Sequence, residues 1–382
     1  MYKYQFGFRQ KHSTQQAIIT LVNKVTSCLD SGDFVIGVFI DLKKAFDTVD
    51  HTILLKKLHA YGIRGNVLKW FESYLSDRSQ YVTYDGMQSD TQKIRCGVQG
   101  SILGLLLFII YMNDICNISE LLFTILYADD TSAILNGKNL IELLNTINTE
   151  LKLLAIWLDA NKLSLNVEKS YYILFHRTRI KTPHIHIDIC MNNSVLKQTN
   201  CIRYLGVFID SKLSWIQHIN YVKYKVSKCV GIMYKARRYL SKNSLVNLYH
   251  SFVYPYLIYC IEVWGNASEC HLDQLFLMQK KIIRIITFSD YSISTTLLFK
   301  SLHILPIDKL VYSRIGIMMS KYENGLLPGV MNDLYITNRE VHSHDTHQKH
   351  LLHINKGSIN VYTKVSFIRY DYCQIFYFRI LL

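Results

Sequence analysis

Residues 121–135 read LLFTILYADDTSAIL. Two apolar runs, 121–127 and 131–135, flank Ala128-Asp129-Asp130, which predicts a hairpin carrying acids at its tip. Upstream, FVIGVFI at 34–40 is continuously apolar and rich in β-branched residues, so it predicts a buried strand, and Asp41 follows it directly. If these strands are neighbours in one sheet, Asp41, Asp129 and Asp130 converge at one edge. Three clustered carboxylates repel one another unless cations are present, and hard divalent ions such as Mg²⁺ favour such oxygens. Two ions roughly 4 Å apart can clamp the attacking and leaving oxygens of an in-line phosphoryl displacement. Taken singly, an Asp after a strand reads as a cap and an Asp pair as a solvated turn. The chemistry depends on finding both in one context.

Working outward, Ser13 and Gln16 form a capping-box pattern ahead of an apolar stripe of Ile18, Leu21, Val22, Val25 and Leu29, which predicts a helix. Residues 45–75 read as helical with a break near Gly62 and Gly65, and residues 80–98 as short strands turning at Asp85-Gly86. Residues 101–111, apolar on all sides, predict a buried helix. Leu140, Leu144, Ile147, Leu151, Leu154 and Leu158 mark an amphipathic helix. Residues 171–175 and 204–209 read as strands. The order strand, helix, hairpin, helix, strand predicts a split βαβ unit, an antiparallel sheet with helices on one face. Beyond residue 212 the pattern is mostly helical, and residues 211–261 carry eight Lys or Arg and no Asp or Glu. The string GVFID recurs at 37–41 and 206–210, but a single pair is no repeat array. Asp210 lacks the Ala-Phe-Asp sequel of Asp41 and reads as structural.

At 382 residues the chain exceeds one ordinary domain. The boundaries suggested by these patterns are 1–210, 211–300 and 301–382, the last without a structural reading. Hydrophobic residues make up 49%, which excludes overall disorder. Lys and Arg outnumber Asp and Glu 43 to 29, for a net charge of +14. Such an excess favours polyanions. No apolar stretch is long enough to span a bilayer and no signal peptide is visible, so an intracellular setting, nuclear or cytoplasmic, without a membrane partner is expected. The nine Cys form no CxxC pair, which argues against a zinc finger or disulfide scaffold. His342, His344, His347, His350 and His353 match no standard metal spacing and read as a polar segment.

Six segments together resemble the reverse transcriptases of non-LTR retrotransposons, the jockey-like mobile elements. FIDLKKAFD at 39–47 resembles their first carboxylate motif, and LYADDT at 126–131 their Tyr-x-Asp-Asp motif. GVQGSILG at 97–104 resembles the nucleotide-site motif between them, and LSLNVEKS at 163–170 the motif that follows. RYLGV at 203–207 is similar to the strand near the primer terminus, and QFGFR at 5–9 to a segment upstream of the first carboxylate. All six stand in the family's order over about residues 5–210.

The resemblance implies an α+β right-hand polymerase with partial fingers, a split-βαβ palm and a helical basic thumb. It implies RNA-directed DNA synthesis on an RNA template and DNA primer, from dNTPs. Asp41, Asp129 and Asp130 would hold two Mg²⁺ ions, with Mn²⁺ as an alternative, and Lys169 would protonate the leaving pyrophosphate. Phe46 would exclude a ribose 2′-hydroxyl, and Gln99 with Gly100 would lie by the incoming nucleotide. Arg203 and Tyr204 would lie near the primer terminus. Lys223, Lys225, Lys228, Lys235, Arg237, Arg238 and Lys242 would contact duplex phosphates.

The sequence also departs from the family. No upstream fingers segment or endonuclease domain precedes the first motif, which suggests an N-terminally truncated copy. The nucleotide-site motif lacks the Pro usual between Val98 and Gln99, and Leu105 stands where Pro is usual. The alternative is therefore a catalytically weak remnant that still binds nucleic acid. A second alternative, an RNA-dependent RNA polymerase, is opposed by Phe46. Oligomeric state is not legible.

Overall fold

The computed structural model describes residues 1–94, 96–98, 102–177 and 187–334. The backbone groups into two compact units, residues 1–17 with 32–199, and residues 18–31 with the chain from Asn200 onward. Helix α1 (Thr14–Asp30) therefore begins in the first unit and continues in the second. The hairpin at 201–210, grouped by sequence with the first domain, clusters with the second unit.

In the first unit, strand β1 (Phe34–Ile40) is the centre of a five-stranded sheet. Helices α2 (His51–Ala60) and α3 (Gly65–Leu75) follow. The 45–75 stretch breaks at Gly62, as its glycines suggested, but its helix starts only at His51. Asp50 caps that start, accepting the Ile53 N–H at 3.0 Å. Four two-residue strands come next, β2 (Ser79–Gln80), β3 (Thr83–Tyr84), β4 (Met87–Gln88) and β5 (Gln92–Lys93). Between β3 and β4, Asp85 and Gly86 both take positive φ, the backbone a two-residue hairpin loop needs.

Helix α4 (Ile102–Met112) precedes strands β6 (Phe123–Tyr127) and β7 (Asp130–Gly137), then α5 (Leu140–Ala160) and β8 (Tyr171–Phe175). Short strands β9 (Cys190–Met191), β10 (Ser194–Val195) and β11 (Lys197–Gln198) close the unit. The sheet order is β11-β8-β1-β7-β6, with β1 antiparallel to both β7 and β8. Ile36, Val38 and Ile40, alternate residues of β1, share one core with Leu54 and Leu58 of α2, Phe108 and Tyr111 of α4, and Ile147, Leu151 and Leu154 of α5. The helices thus cover that face, as the strand and helix periods predicted. One expectation needs correction: α4 is not buried all round, because Leu105 and Leu106 are 40% and 45% exposed.

The second unit opens with β12 (Cys201–Tyr204) and β13 (Val207–Asp210), paired antiparallel. The single strand expected at 204–209 is thus a hairpin. Leu205 and Gly206 both take positive φ and reverse the chain there. Helices follow: α6 (Ile216–Ala236), α7 (Lys242–Leu248), α8 (Tyr254–Ile258), α9 (Ile261–Trp264), α10 (Glu269–Thr287), α11 (Thr295–Ser301) and α12 (Ile307–Glu323). Helix α6 buries Ile219, Val222, Val226, Cys229 and Met233 at spacings of three and four, with His218 beside them, and packs against α10. The His-containing stretch at 342–353 lies outside the described residues, as do Gln99 and Gly100.

Candidate active site

The sheet brings the two acidic segments together. Ile40 pairs with Thr131, and Tyr127 pairs with Asp130 across the hairpin loop. Asp41 follows the last paired residue of β1 and Asp130 precedes Thr131 on β7, so both acids lie at the same end of that ladder. Ala128, the first loop residue, takes φ +57, a position usually given to glycine. Asp41, Asp129 and Asp130 are all half-buried.

Their electrostatics follow from that placement. Burial, then Asp129, then Asp41, pushes the Asp130 carboxyl up to about 6. Burial and the nearby Asp41 also raise Asp129. The donor set is of the hard-oxygen kind that suits Mg²⁺ or Mn²⁺, and the mutual repulsion is the kind a cation relieves. Among the described residues, however, no group of three or more His, Cys, Asp or Glu side chains is placed to hold an ion.

Asp41 is held by partners that the sequence did not single out. Its Oδ2 accepts Asn166 Nδ2–H at 2.7 Å, and its backbone N–H donates to Ser170 Oγ at 3.1 Å. Its carbonyl accepts the Asn166 N–H at 2.9 Å. Ser170, fully buried, donates in turn to the Asn166 carbonyl at 2.8 Å. The only signal was their membership of LSLNVEKS, in which Lys169 alone was given a role. Lys169 is exposed and sits on the short turn between these two residues.

Phe46 is half-buried and stacks on Phe108 with centroids 4.1 Å apart. Its carbonyl accepts the Val98 N–H at 3.1 Å, which ties the start of GVQGSILG to the turn that follows β1. Gly97, at φ +91, lies so close to Asp47 that an added Cβ would stand 3.1 Å from the Asp47 carbonyl oxygen. The path is thus anchored up to Val98.

The second unit holds the remaining candidates. Arg203 is exposed and its guanidinium lies 5.4 Å from the Tyr221 ring centroid. Tyr204 is only 4% exposed, so its side chain packs in the core rather than facing a ligand. On α6, Lys225 also approaches Tyr221, at 5.5 Å, and Lys228 sits 4.3 Å over the exposed Tyr224 ring. Lys223 donates to Gln274 Oε1 at 2.8 Å and is half-buried. Lys235 and Arg238 are exposed, and Arg237 lies 5.0 Å from the Phe288 ring. Tyr224, Lys228 and Lys235 share one helical face opposite the buried stripe. Asp210 belongs to none of this. Its carboxylate accepts the N–H groups of Lys212, Ser214 and Trp215 and the Ser214 hydroxyl, which fits the structural reading.

No helix among the described residues is long and apolar enough to cross a membrane. Compared with known proteins, the chain is 28% identical over 307 residues to an RNA-directed DNA polymerase from the mobile element jockey of Drosophila melanogaster, covering 77% of this chain and 33% of that protein. A probable RNA-directed DNA polymerase from the X-element transposon of the same species is 25% identical, covering 85% and 36%. A third, from transposon BS, is 28% identical, covering 80% and 35%. The chain spans about a third of the length of these relatives. Among solved structures, the apo telomerase of Candida tropicalis is similar at 12% identity and a TM-score of 0.43, covering 83% of this chain and 55% of that one. A family model described as reverse transcriptase (RNA-dependent DNA polymerase) matches residues 1–209, the span that contains both acidic segments and the sheet that joins them. The chain belongs to the reverse transcriptase family.

Proposed function

We propose that this chain is the polymerase portion of a non-LTR retrotransposon protein and extends a DNA primer on an RNA template. The observation that supports this reading is that Asp41 and the Asp129-Asp130 turn lie at the same end of the sheet in a chain whose residues 1–209 match the family model. The family implies dependence on a divalent ion. Asp41 and Asp129, with Asp130 beside them, would hold two Mg²⁺ ions. When bound, such ions lower the pKa of the primer 3′-hydroxyl and neutralise the triphosphate. Asn166 orients Asp41 through its 2.7 Å bond and keeps that carboxylate from turning away. Phe46, fixed against Phe108, would present its ring edge to the sugar and disfavour a 2′-hydroxyl. Lys169, on the turn between Asn166 and Ser170, would deliver a proton to the departing pyrophosphate.

The exposed face of α6 supplies the nucleic-acid contacts in this reading. Lys228 and Lys235 on that face, with Lys225 at its flank and the neighbouring Arg203, Lys223, Arg237 and Arg238, would meet backbone phosphates without reading sequence. Primer extension by the purified chain tests the proposal, with an RNA template, a DNA primer, dNTPs and Mg²⁺. Extension that disappears in the Asp129→Asn/Asp130→Asn double variant is the expected result. Salt-sensitive duplex binding without extension would leave the binding-remnant reading instead. Incorporation of rNTPs by the natural chain would remove the role given to Phe46.

A further inference from the structure

The segment Tyr4–Arg9 runs behind the Asp-Asp hairpin. The Phe6 N–H donates to the Leu126 carbonyl at 2.8 Å, and the Leu126 N–H to the Tyr4 carbonyl at 3.0 Å, so this segment adds a short parallel bridge to the edge strand β6. Tyr2 donates its hydroxyl to the Thr124 carbonyl at 2.9 Å, and Tyr4 packs edge-on against Phe123. Arg9 ties the segment's own curve by donating to the carbonyls of Tyr2 and Gln5, each at 3.0 Å.

Two side-chain positions then reach the loop itself. Gln5 is fully buried, and its Oε1 accepts the Gly7 N–H at 2.8 Å and the Ala128 N–H at 3.4 Å. Ala128 is buried too, so its N–H depends on that acceptor. At Gly7 the two backbones nearly touch: an added Cβ would stand 2.3 Å from Ala128 N and 3.0 Å from the Tyr127 carbonyl carbon. No side chain fits there unless the loop moves. Ala128 meanwhile holds φ +57, a conformation that an L residue keeps only when its surroundings enforce it.

We propose that Gln5 and Gly7 are positioning residues for the catalytic centre: Gln5 fixes the Ala128 peptide and Gly7 permits the close approach, and together they set where Asp129 and Asp130 project. The inference rests on the reverse transcriptase reading for its kinetic consequence, but not for its geometry. It gives QFGFR a physical task, bracing the Asp-Asp turn from the rear.

Two variants separate this role from general packing. Gln5→Met keeps the length and volume of the side chain and removes the acceptor. Gly7→Ala forces the loop outward. Both should lower kcat for primer extension by about 10- to 100-fold, the usual cost of disturbing the support of a catalytic ligand. The KM for dNTP should change less than about threefold, because neither residue lies in the groups assigned to the nucleotide. Hydrogen exchange of the 123–134 segment, read without substrate, should become at least tenfold faster, a larger change than in β8 of the same sheet. Unchanged kcat and exchange would overturn the proposal. So would a loss of activity that merely tracks a fall in melting temperature. If the natural chain extends no primer, the polymerase reading fails for this chain, and the exchange measurement alone decides whether Gln5 and Gly7 hold the turn.

Discussion

At the scale of single residues, the acidic pair is held in a state that costs the fold something. Asp130 is raised to about 6 by burial and by its two acidic neighbours. A carboxyl with a raised folded pKa binds its proton more tightly in the folded chain than in the unfolded one. Its contribution to stability is present below the ordinary value near 4 and is lost as pH rises through about 6. Asp130→Asn should therefore raise the melting temperature at pH 7.5 and change it little at pH 4, while primer extension falls at least about a hundredfold. Mg²⁺ should raise the melting temperature of the natural chain at pH 7.5 more than that of the variant. Thermal melts at the two pH values, with and without Mg²⁺, read both effects; a variant that melts lower at pH 7.5 would contradict the account. The identities of these acids were legible because Tyr-x-Asp-Asp sits between two apolar runs. Asn166 and Ser170 were not, because a polar residue in a loop declares its partner only when the loop is folded against Asp41.

At the scale of elements, periodicity located most strands and helices, and local backbone chemistry decided the rest. Residues 204–209 look like one strand because their side chains are apolar and β-branched, yet Leu205 and Gly206 turn the chain. The lone Gly inside a strand pattern was the available signal. The repeat of GVFID shows the same limit. Gly37 lies mid-strand in β1, whereas Gly206 lies in a turn, and the two Asp residues do different work. Asp41 is held at the sheet edge, while Asp210 closes the turn into α6 through three backbone N–H groups and one hydroxyl. Removing those acceptors by Asp210→Ala should cost about 2 kcal/mol, as expected for a buried cap with several donors. The rate of primer extension per folded molecule should stay unchanged. Denaturant unfolding followed beside extension assays checks this; a rate loss without a stability loss would give Asp210 a catalytic task.

At the scale of the whole molecule, the charge of +14 sets the long-range behaviour. On α6 the cations do not stand alone. Lys225 and Arg203 flank Tyr221, and Lys228 covers Tyr224. Such pairs offer phosphate neutralisation and a flat ring for sugar or base in one place. Replacing Lys225, Lys228 and Lys235 together by Gln should weaken RNA–DNA duplex binding similarly for all sequences. It should also reduce the slope of log affinity against log salt by about 2 to 3. Filter binding or anisotropy titrations across a salt series measure that slope, and an unaltered slope would show that this face does not touch the duplex.

The class of the fold, the position of the acidic turn, the cationic helix and the family were all legible in the chain, because apolar period, charge and ordered motifs are local properties. The tertiary structure alone decided which residues support the acids. Gln5 reaches Ala128 across 123 positions, and Asn166 reaches Asp41 across 125. Such partnerships depend on sheet register and on the close approach of two backbones, quantities that arise only when the strands pair.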